Sequence, residues 1–342
     1  MNVVFLSRLY LPHLGGVEIH VREISAILTR MGHEVTVITL QHDAKLKSKT
    51  EYDGVKVIRL SADAQNKHDI WQAIISVKES ILQADIIHVH DVFWWILPLY
   101  VKIKKKVFIT FHGWETQFPI PLNSKIHRFL VSKLAQGTIH VGAFIQKFYW
   151  DKPTFITYGG INPKRFTKSN SSKAEKKSTK LKFVFVGRLE HDTDVLMYID
   201  FLKELQVKNI AFEMVWVGDG FLKKECEQFG IVTGFVKNIS QHIVIVDFVF
   251  ASSYLSILEA QCLEKIVLSF YSNPLKKEYL ETYPGNKYMV IAGSVESMIA
   301  KFEHMLTSQK LLPEMKKAAK QFALMNTWDK VVDQYLQLWK KK

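Results

Sequence analysis

The sequence predicts an α/β protein built from two doubly wound parallel-sheet domains. Three observations carry that prediction. Short apolar runs alternate with stretches whose apolar residues recur at helical spacing, which is the pattern of parallel strands covered by helices on both faces. The alternation stops at a polar, charged stretch, TKSNSSKAEKKSTK (167–180), and then starts again. A length of 342 residues also favours two domains over one.

In chain order, NVVFLS (2–7) reads as an apolar strand and HLGG (13–16) as a glycine turn. VEIHVREISAILTRM (17–31) then reads as an amphipathic helix ended by Gly32. EVTVITL (34–40) completes a βαβ unit. Further strands read at 55–60, 85–90, 106–112, 137–141 and 154–158, with helical segments between most of them. The stretch 167–180 is nearly free of apolar residues and reads as a linker. Beyond it, strands read at 182–187, 212–218, 230–235, 244–251, 265–271 and 288–292. The chain closes in helices, ending with WDKVVDQYLQLW (328–339). Ligands of such sheets bind at the carboxyl ends of the strands, here expected in the cleft that the two domains face.

Composition narrows the function classes. The chain is 48% apolar, enough for a sizeable core, and its only cysteines, Cys226 and Cys262, are not spaced as metal ligands. Two cysteines fit a reducing compartment. The N-terminal stretch reads as a strand rather than a signal peptide, and no uncharged apolar run reaches the length of a membrane span. A cytoplasmic location is therefore expected. The net charge of +13 points to a polyanion or an anionic substrate. The basic runs at 102–106, 173–180 and 340–342 read most simply as solvated faces or tails. No recognition motif or aromatic-interleaved basic stripe supports nucleic acid. VFWWILPLYVKIKKK (92–106) fits peripheral contact with a membrane, although a helix packed on the sheet is the simpler reading.

Several motifs fall at strand ends. Gly15 and Gly16 lie between the first strand and helix, where backbone can approach an anion closely; a bare βα turn explains them equally well. His112, in TFHGWE (110–115), ends a strand and could exchange a hydrogen bond with a hydroxyl or act as a base; its place at a strand's carboxyl end favours this slightly over a histidine satisfied by backbone. Arg188, in FVGRLEHDTD (185–194), could grip a diphosphate, or pair with Glu190 or Asp192 on the surface. Asp192 and Asp194 form the chain's one D-x-D, a spacing that can hold a divalent cation, but helix capping accounts for aspartates there more simply. Glu259, in ASSYLSILEAQC (251–262), lies within an otherwise apolar helix and could accept hydrogen bonds from ribose hydroxyls; a solvent-edge glutamate on an amphipathic helix explains it equally well.

Together these stretches resemble the retaining glycosyltransferases of family 4 (glycosyl transferases group 1), which have the GT-B fold. The resemblance rests on LGGVEIHV (14–21), EYDGVKVIRL (51–60), ADIIHVHD (84–91), TFHGWE, YGGINPKRF (158–166), FVGRL (185–189), WVGDG (216–220) and ILEA (257–260), in that order along nearly the whole chain. It implies an acceptor-binding domain over 1–166 and a nucleotide-sugar domain over 181–326, with a last helix at about 327–342 packed back on the first. It further implies that Gly15 and Gly16 meet the donor diphosphate or sugar, that His112 contacts the sugar, and that Arg188 stabilises the leaving diphosphate. Glu259 would hold the ribose, and backbone amides near Leu255 and Ser256 would take phosphate oxygens. No metal or other cofactor is implied; the acceptor would be a glycan or lipid-linked hydroxyl.

The sequence departs from the family pattern in three places. Thr193 stands where a lysine is usual, and Asp194 where a glycine is usual. Of two glutamates eight positions apart, Glu259 alone is present. YGGIN replaces an asparagine-glycine-hydrophobic-aspartate turn. Losing a cation beside the leaving group would cost on the order of 2–4 kcal/mol of transition-state stabilisation. Lys223 and Lys224 are candidates to replace it. The alternative function is a GT-B-like protein that binds a nucleotide sugar, or supports a partner enzyme, with little turnover of its own.

Overall fold

A computed structural model of the chain describes residues 1–115, 117–166, 180–236, 238–308 and 310–340. The linker expected at 167–180 falls outside the described residues except for Lys180, as do Lys341 and Lys342. The chain divides into two units: residues 1–157 with 328–342, and residues 158–327.

The first unit is an eight-stranded sheet in the order β3-β4-β2-β1-β5-β6-β7-β8. Its strands are β1 (Asn2–Ser7), β2 (Glu34–Leu40), β3 (Lys49–Tyr52), β4 (Val55–Leu60), β5 (Ile86–His90), β6 (Val107–Phe111), β7 (Thr138–Val141) and β8 (Phe155–Thr157). All pairs are parallel except β3 with β4. β3, which pairs with β4 in a hairpin, is an addition to the strands anticipated. The hairpin turns on Asp53 and Gly54, both at positive φ (51° and 79°), the D-G signature of a two-residue hairpin turn. The central strands β5 and β6 are buried along their whole length, as covering on both faces requires.

The second unit is a six-stranded, all-parallel sheet in the order β11-β10-β9-β12-β13-β14. Its strands are β9 (Leu181–Val186), β10 (Phe212–Val217), β11 (Ile231–Gly234), β12 (Phe248–Ala251), β13 (Ile266–Phe270) and β14 (Met289–Ala292). Aromatic residues dominate its core: Phe183 stacks on Phe250 at 5.1 Å, and Tyr198 on the same ring at 4.8 Å. The chain passes from β9 to β10 on one side and reaches β12 on the other, so the β9/β12 pair is the switch point where doubly wound sheets take ligands.

Two boundaries differ from those read in the sequence. The first unit ends at Thr157, not at 166. Tyr158 belongs to the second unit because its hydroxyl donates to Thr282 O (2.9 Å) and its ring packs on Tyr254 and Tyr283. The apolar run 244–251 is not one strand: Ser240–Val244 is helical and pairing begins at Phe248. Lys265 explains the break, since its ammonium donates to the carbonyls of Val244 (2.9 Å) and Val246 (2.7 Å) and ends the turn there. The run at 92–106 packs inward, with Phe93, Trp95, Ile96 and Ile103 buried.

Candidate functional site

In the first unit, the carboxyl ends of β1, β5 and β6 open on a cavity of about 580 Å3 lined by Glu18, Asp91, Trp94, His112, Trp114 and Arg128, among others. Gly15 caps the helix Gly16–Arg30 in extended conformation, and Gly16 opens it with empty space where a Cβ would stand. A side chain at Gly15 would strike the carboxylate of Glu18, which folds back over the helix start. Glu18 is buried and pairs with His13 (3.4 Å), and burial raises its carboxyl above the usual range. The positive end of this helix thus already faces an acidic side chain of its own.

His112 sits as expected at the end of β6, half-buried. Its Nε2 is 2.8 Å from His90 Nδ1, and its backbone N–H donates to Asp91 Oδ1 at 3.1 Å. Burial and the Arg128 guanidinium hold its imidazole down at about 3, so it is neutral. His90 Nε2 has no partner among the described residues. A buried lone pair is cheaper to leave unpaired than a buried N–H. His90 therefore donates from Nδ1 and His112 accepts at Nε2, which leaves the His112 proton on Nδ1. His112 is set up as a hydrogen-bond donor to an oxygen rather than as a base.

Beneath it runs a polar chain that sequence patterning did not reveal. Trp339 Nε1, which can only donate, bonds His88 Nδ1 (3.0 Å). His88 then donates from Nε2 to Thr110 Oγ1 (2.8 Å), and the chain continues through hydrogen bonds between Thr110 Oγ1 and Tyr335 Oη (2.7 Å) and between Tyr335 Oη and His20 Nε2 (2.9 Å). Each histidine in it is buried, and burial lowers each well below its usual range. Trp339 and Tyr335 come from the helix Trp328–Lys340, which lies against Gly16–Arg30 and carries a sharply segregated apolar face.

Asp91 and Arg128 also escaped the sequence reading. Asp91 ends β5 in the left-handed region (φ 61°), a conformation unusual for a residue with a side chain and concentrated at functional sites. Arg128 is buried with its guanidinium 4.1 Å from the Tyr149 ring centroid and its Nη2 3.4 Å from Glu115 Oε1. Its Nη1 has no partner among the described residues. A side pocket of about 460 Å3 shares Asp91, Glu115 and Arg128. The signal for Asp91 was its place directly after an apolar strand; Arg128, mid-helix in NSKIHRFLVSKL, offers none.

In the second unit, Arg188, Leu255, Ser256 and Glu259 gather around the carboxyl ends of β9 and β12. Arg188 is 54% exposed and bonds Asp192 Oδ2 at 2.6 Å. The surface pairing is thus present, but an exposed pair is worth only about 0–1 kcal/mol, and a diphosphate can replace the carboxylate. Thr193 Oγ1 lies 2.8 Å from both the Arg188 and Glu190 carbonyls and closes the turn. Asp194 follows at φ 60°, where the family's glycine would sit without strain. Leu255 and Ser256 lie in the first turn of the helix Tyr254–Cys262; Tyr254 N–H donates to Tyr279 Oη (3.1 Å), but the N-cap Ser253 makes no side-chain bond to the first turn, so the Leu255 and Ser256 amides can meet an outside acceptor. Glu259 lies one turn beyond Leu255, half-buried on the same face. Lys223 and Lys224 begin the short helix Lys223–Glu227, and its lead-in touches the Arg188 loop through Leu222 N–H to Leu189 O (2.9 Å).

One further cation approaches this turn. Lys276, on the helix Pro274–Glu281, donates from Nζ to Ser252 O (3.2 Å), and the charged groups facing it are Asp194, Asp192 and Arg188. Among the described residues, no group of three or more His, Cys, Asp or Glu is arranged to hold a metal.

The model of the family described as Glycosyltransferase Family 4 matches residues 14–165, and that described as Glycosyl transferases group 1 matches residues 166–322. A curated relative, an uncharacterised 42.6 kDa protein in the cps region of Klebsiella pneumoniae, is 38% identical over 61 residues, covering 18% of this chain and 16% of that protein. Among solved structures, sucrose-phosphate synthase from Thermosynechococcus elongatus matches with a TM-score of 0.82 at 14% identity, over 99% of this chain and 98% of that one. A glycosyltransferase from Rickettsia africae matches at 0.74 and 17% identity, over 99% and 98% of the two chains. Anabaena HepE, solved with UDP and glucose, matches at 0.73 and 16%, over 98% of each.

Proposed function

Because the chain belongs to the family 4 glycosyltransferases of GT-B fold, we propose that it transfers a sugar from a nucleoside diphosphate sugar to a hydroxyl acceptor, with retention and without a metal. The observation that carries this reading is the tandem match of two family models along residues 14–322; Arg188 and the Leu255 and Ser256 amides, which follow the adjacent strands β9 and β12, support it. In the reaction the bond from the anomeric carbon to the diphosphate breaks and one to the acceptor oxygen forms. The acceptor proton passes to the departing diphosphate oxygen, which gains negative charge as its bond to the sugar breaks, and from there to solvent. Arg188 and the helix amides meet that charge, so they stabilise the transition state more than the ground state. His112, neutral with its proton on Nδ1, donates to a sugar hydroxyl, and Glu259 receives the ribose hydroxyls.

The acceptor belongs to the first unit, and a lipid-linked one is favoured by the surface of the helix Leu122–Leu134. Leu122, Ile126, Leu130 and Leu134 are exposed in a ladder four residues apart, flanked by Lys125 and Lys133, with exposed Trp150 under the Lys125 ammonium (5.2 Å). Such a face suits the interface of an anionic membrane. It takes the place of 92–106, whose apolar residues are largely spent on the core. No described helix is long and apolar enough to cross a membrane. The test is a turnover screen of UDP- and GDP-sugars against lipid-linked and free glycan acceptors, reading nucleoside diphosphate release. Folded protein that releases none in any combination refutes the proposal.

A further inference from the structure

We infer that Lys276 is the second cation of the donor diphosphate site, standing in from another helix for the lysine that the Arg188 turn lacks. The inference rests on the nucleotide-sugar reading of the second unit.

Thr193 cannot be that second binding group, since its hydroxyl is spent on two carbonyls of its own turn. Lys276 reaches the same place from the far side. Asn273 caps its helix and accepts from Lys276 N–H at 2.9 Å, which fixes where the side chain starts. The ammonium ends at the Ser252 carbonyl, between β12 and the helix bearing Leu255 and Ser256, and it faces the turn that carries Arg188. It thus lies between the two elements that would hold the phosphates.

The Ser252 carbonyl and the Tyr279 ring (5.3 Å) receive the ammonium, and both contacts are with uncharged groups. Lys276 is 3% exposed, and lysine is almost never fully buried. It also sits in the first turn of a helix, where the backbone dipole disfavours a cation. Both costs are tolerable if a strong anion visits the site. Asp194 faces the ammonium and is likewise buried (4% exposed) in the left-handed region; its carboxylate bonds Ser272, and its Oδ2 has no partner among the described residues. The D-x-D of this loop then has a role other than metal binding. Asp192 bonds Arg188, and Asp194 faces Lys276, so the two carboxylates of the loop offset the charge of the two cations while no diphosphate is bound.

The test is calorimetric binding of UDP, GDP and UMP to the full chain, for wild type, Lys276→Met and Lys276→Arg. Methionine matches the volume and removes a buried charge; if it impairs folding, Asp194→Asn with Lys276→Met removes both charges and is read in the same way. Lys276→Met is expected to weaken diphosphate binding on the order of 10- to 100-fold, the weight of a charge-assisted hydrogen bond, and UMP binding far less. Lys276→Arg should retain most of the affinity. Diphosphate binding within twofold of wild type in folded Lys276→Met overturns the inference, as does equal weakening of UDP and UMP, or a wild type that binds no nucleoside diphosphate. Nucleoside diphosphate binding that depends on Lys276, with no turnover of any sugar donor, would leave the inference standing and refute the transferase reading instead.

Discussion

Moving from about pH 7.5 to pH 5 should remove much of the first unit's stability, and the buried histidines set the size of the loss. His20, His88 and His90 are 2%, 0% and 1% exposed, and burial keeps all three neutral well below their usual range. His112 titrates only at about 3. Once unfolded, each would titrate near 6.5. Below that pH the unfolded chain therefore binds more protons than the folded one, and stability falls as pH falls, by roughly 1.4 kcal/mol per pH unit per histidine. The contribution is complete above about pH 6.5 and drains away towards the folded-state value. By pH 5 the loss from His112 alone is about 2 kcal/mol, and His20, His88 and His90 add to it in the same direction, a sizeable share of the 5–15 kcal/mol of an ordinary domain. His140 adds to the effect and Glu18, raised by burial, opposes it. Urea unfolding monitored by tryptophan fluorescence at several pH values reads this directly, because Trp328 and Trp339 pack on His20 and His88. A slope between pH 6 and 5 no steeper than one histidine's worth, about 1.4 kcal/mol per unit, would refute the neutral buried chain.

Tyr335→Phe should destabilise the first unit by about 1–3 kcal/mol, since Thr110 Oγ1 and His20 Nε2 both lose a partner; chemical denaturation at neutral pH measures it. Arg188→Ala should lower kcat/KM on the order of 10²–10³-fold with little change in melting temperature, because its surface ion pair contributes almost nothing to folding; steady-state kinetics beside a thermal melt separate the two. Ile126→Glu with Leu130→Glu should abolish sedimentation with anionic vesicles while leaving turnover of a soluble acceptor intact, and retained vesicle binding would exclude the Leu122–Leu134 face.

The parts of the fold that were legible are those where burial on both faces leaves an unbroken apolar signature, such as VVFL in β1 or FVFV in β9. What was missed depends on single residues acting at a distance in sequence. Lys265 reshapes the run at 244–251 from twenty residues away, and Tyr158 is claimed by Tyr254 and Tyr283, which no local pattern announces. The site divides in the same way. Residues on a strand-to-helix turn, His112 and Arg188, could be picked out because position alone raised them. Arg128 and Lys276 reach their sites from helices, so their neighbours in sequence say nothing of their neighbours in space. The lysine gap at Thr193 was readable, but its replacement was sought in the adjacent βα loop, whereas Lys276 lies more than eighty residues on.

The Trp328–Lys340 helix belongs to the first unit but follows the second in the chain, and this sets a timetable for biosynthesis. Between β8 and that helix the ribosome must add about 170 residues, roughly 10–30 s of synthesis. Throughout that interval His20, His88 and Thr110 lack Tyr335 and Trp339, so the polar chain through the first unit has no end. The second unit can be complete while the first is still waiting. Of the two units, the one begun earlier is therefore the later to mature, and it stays open to chaperones and proteases if elongation stalls.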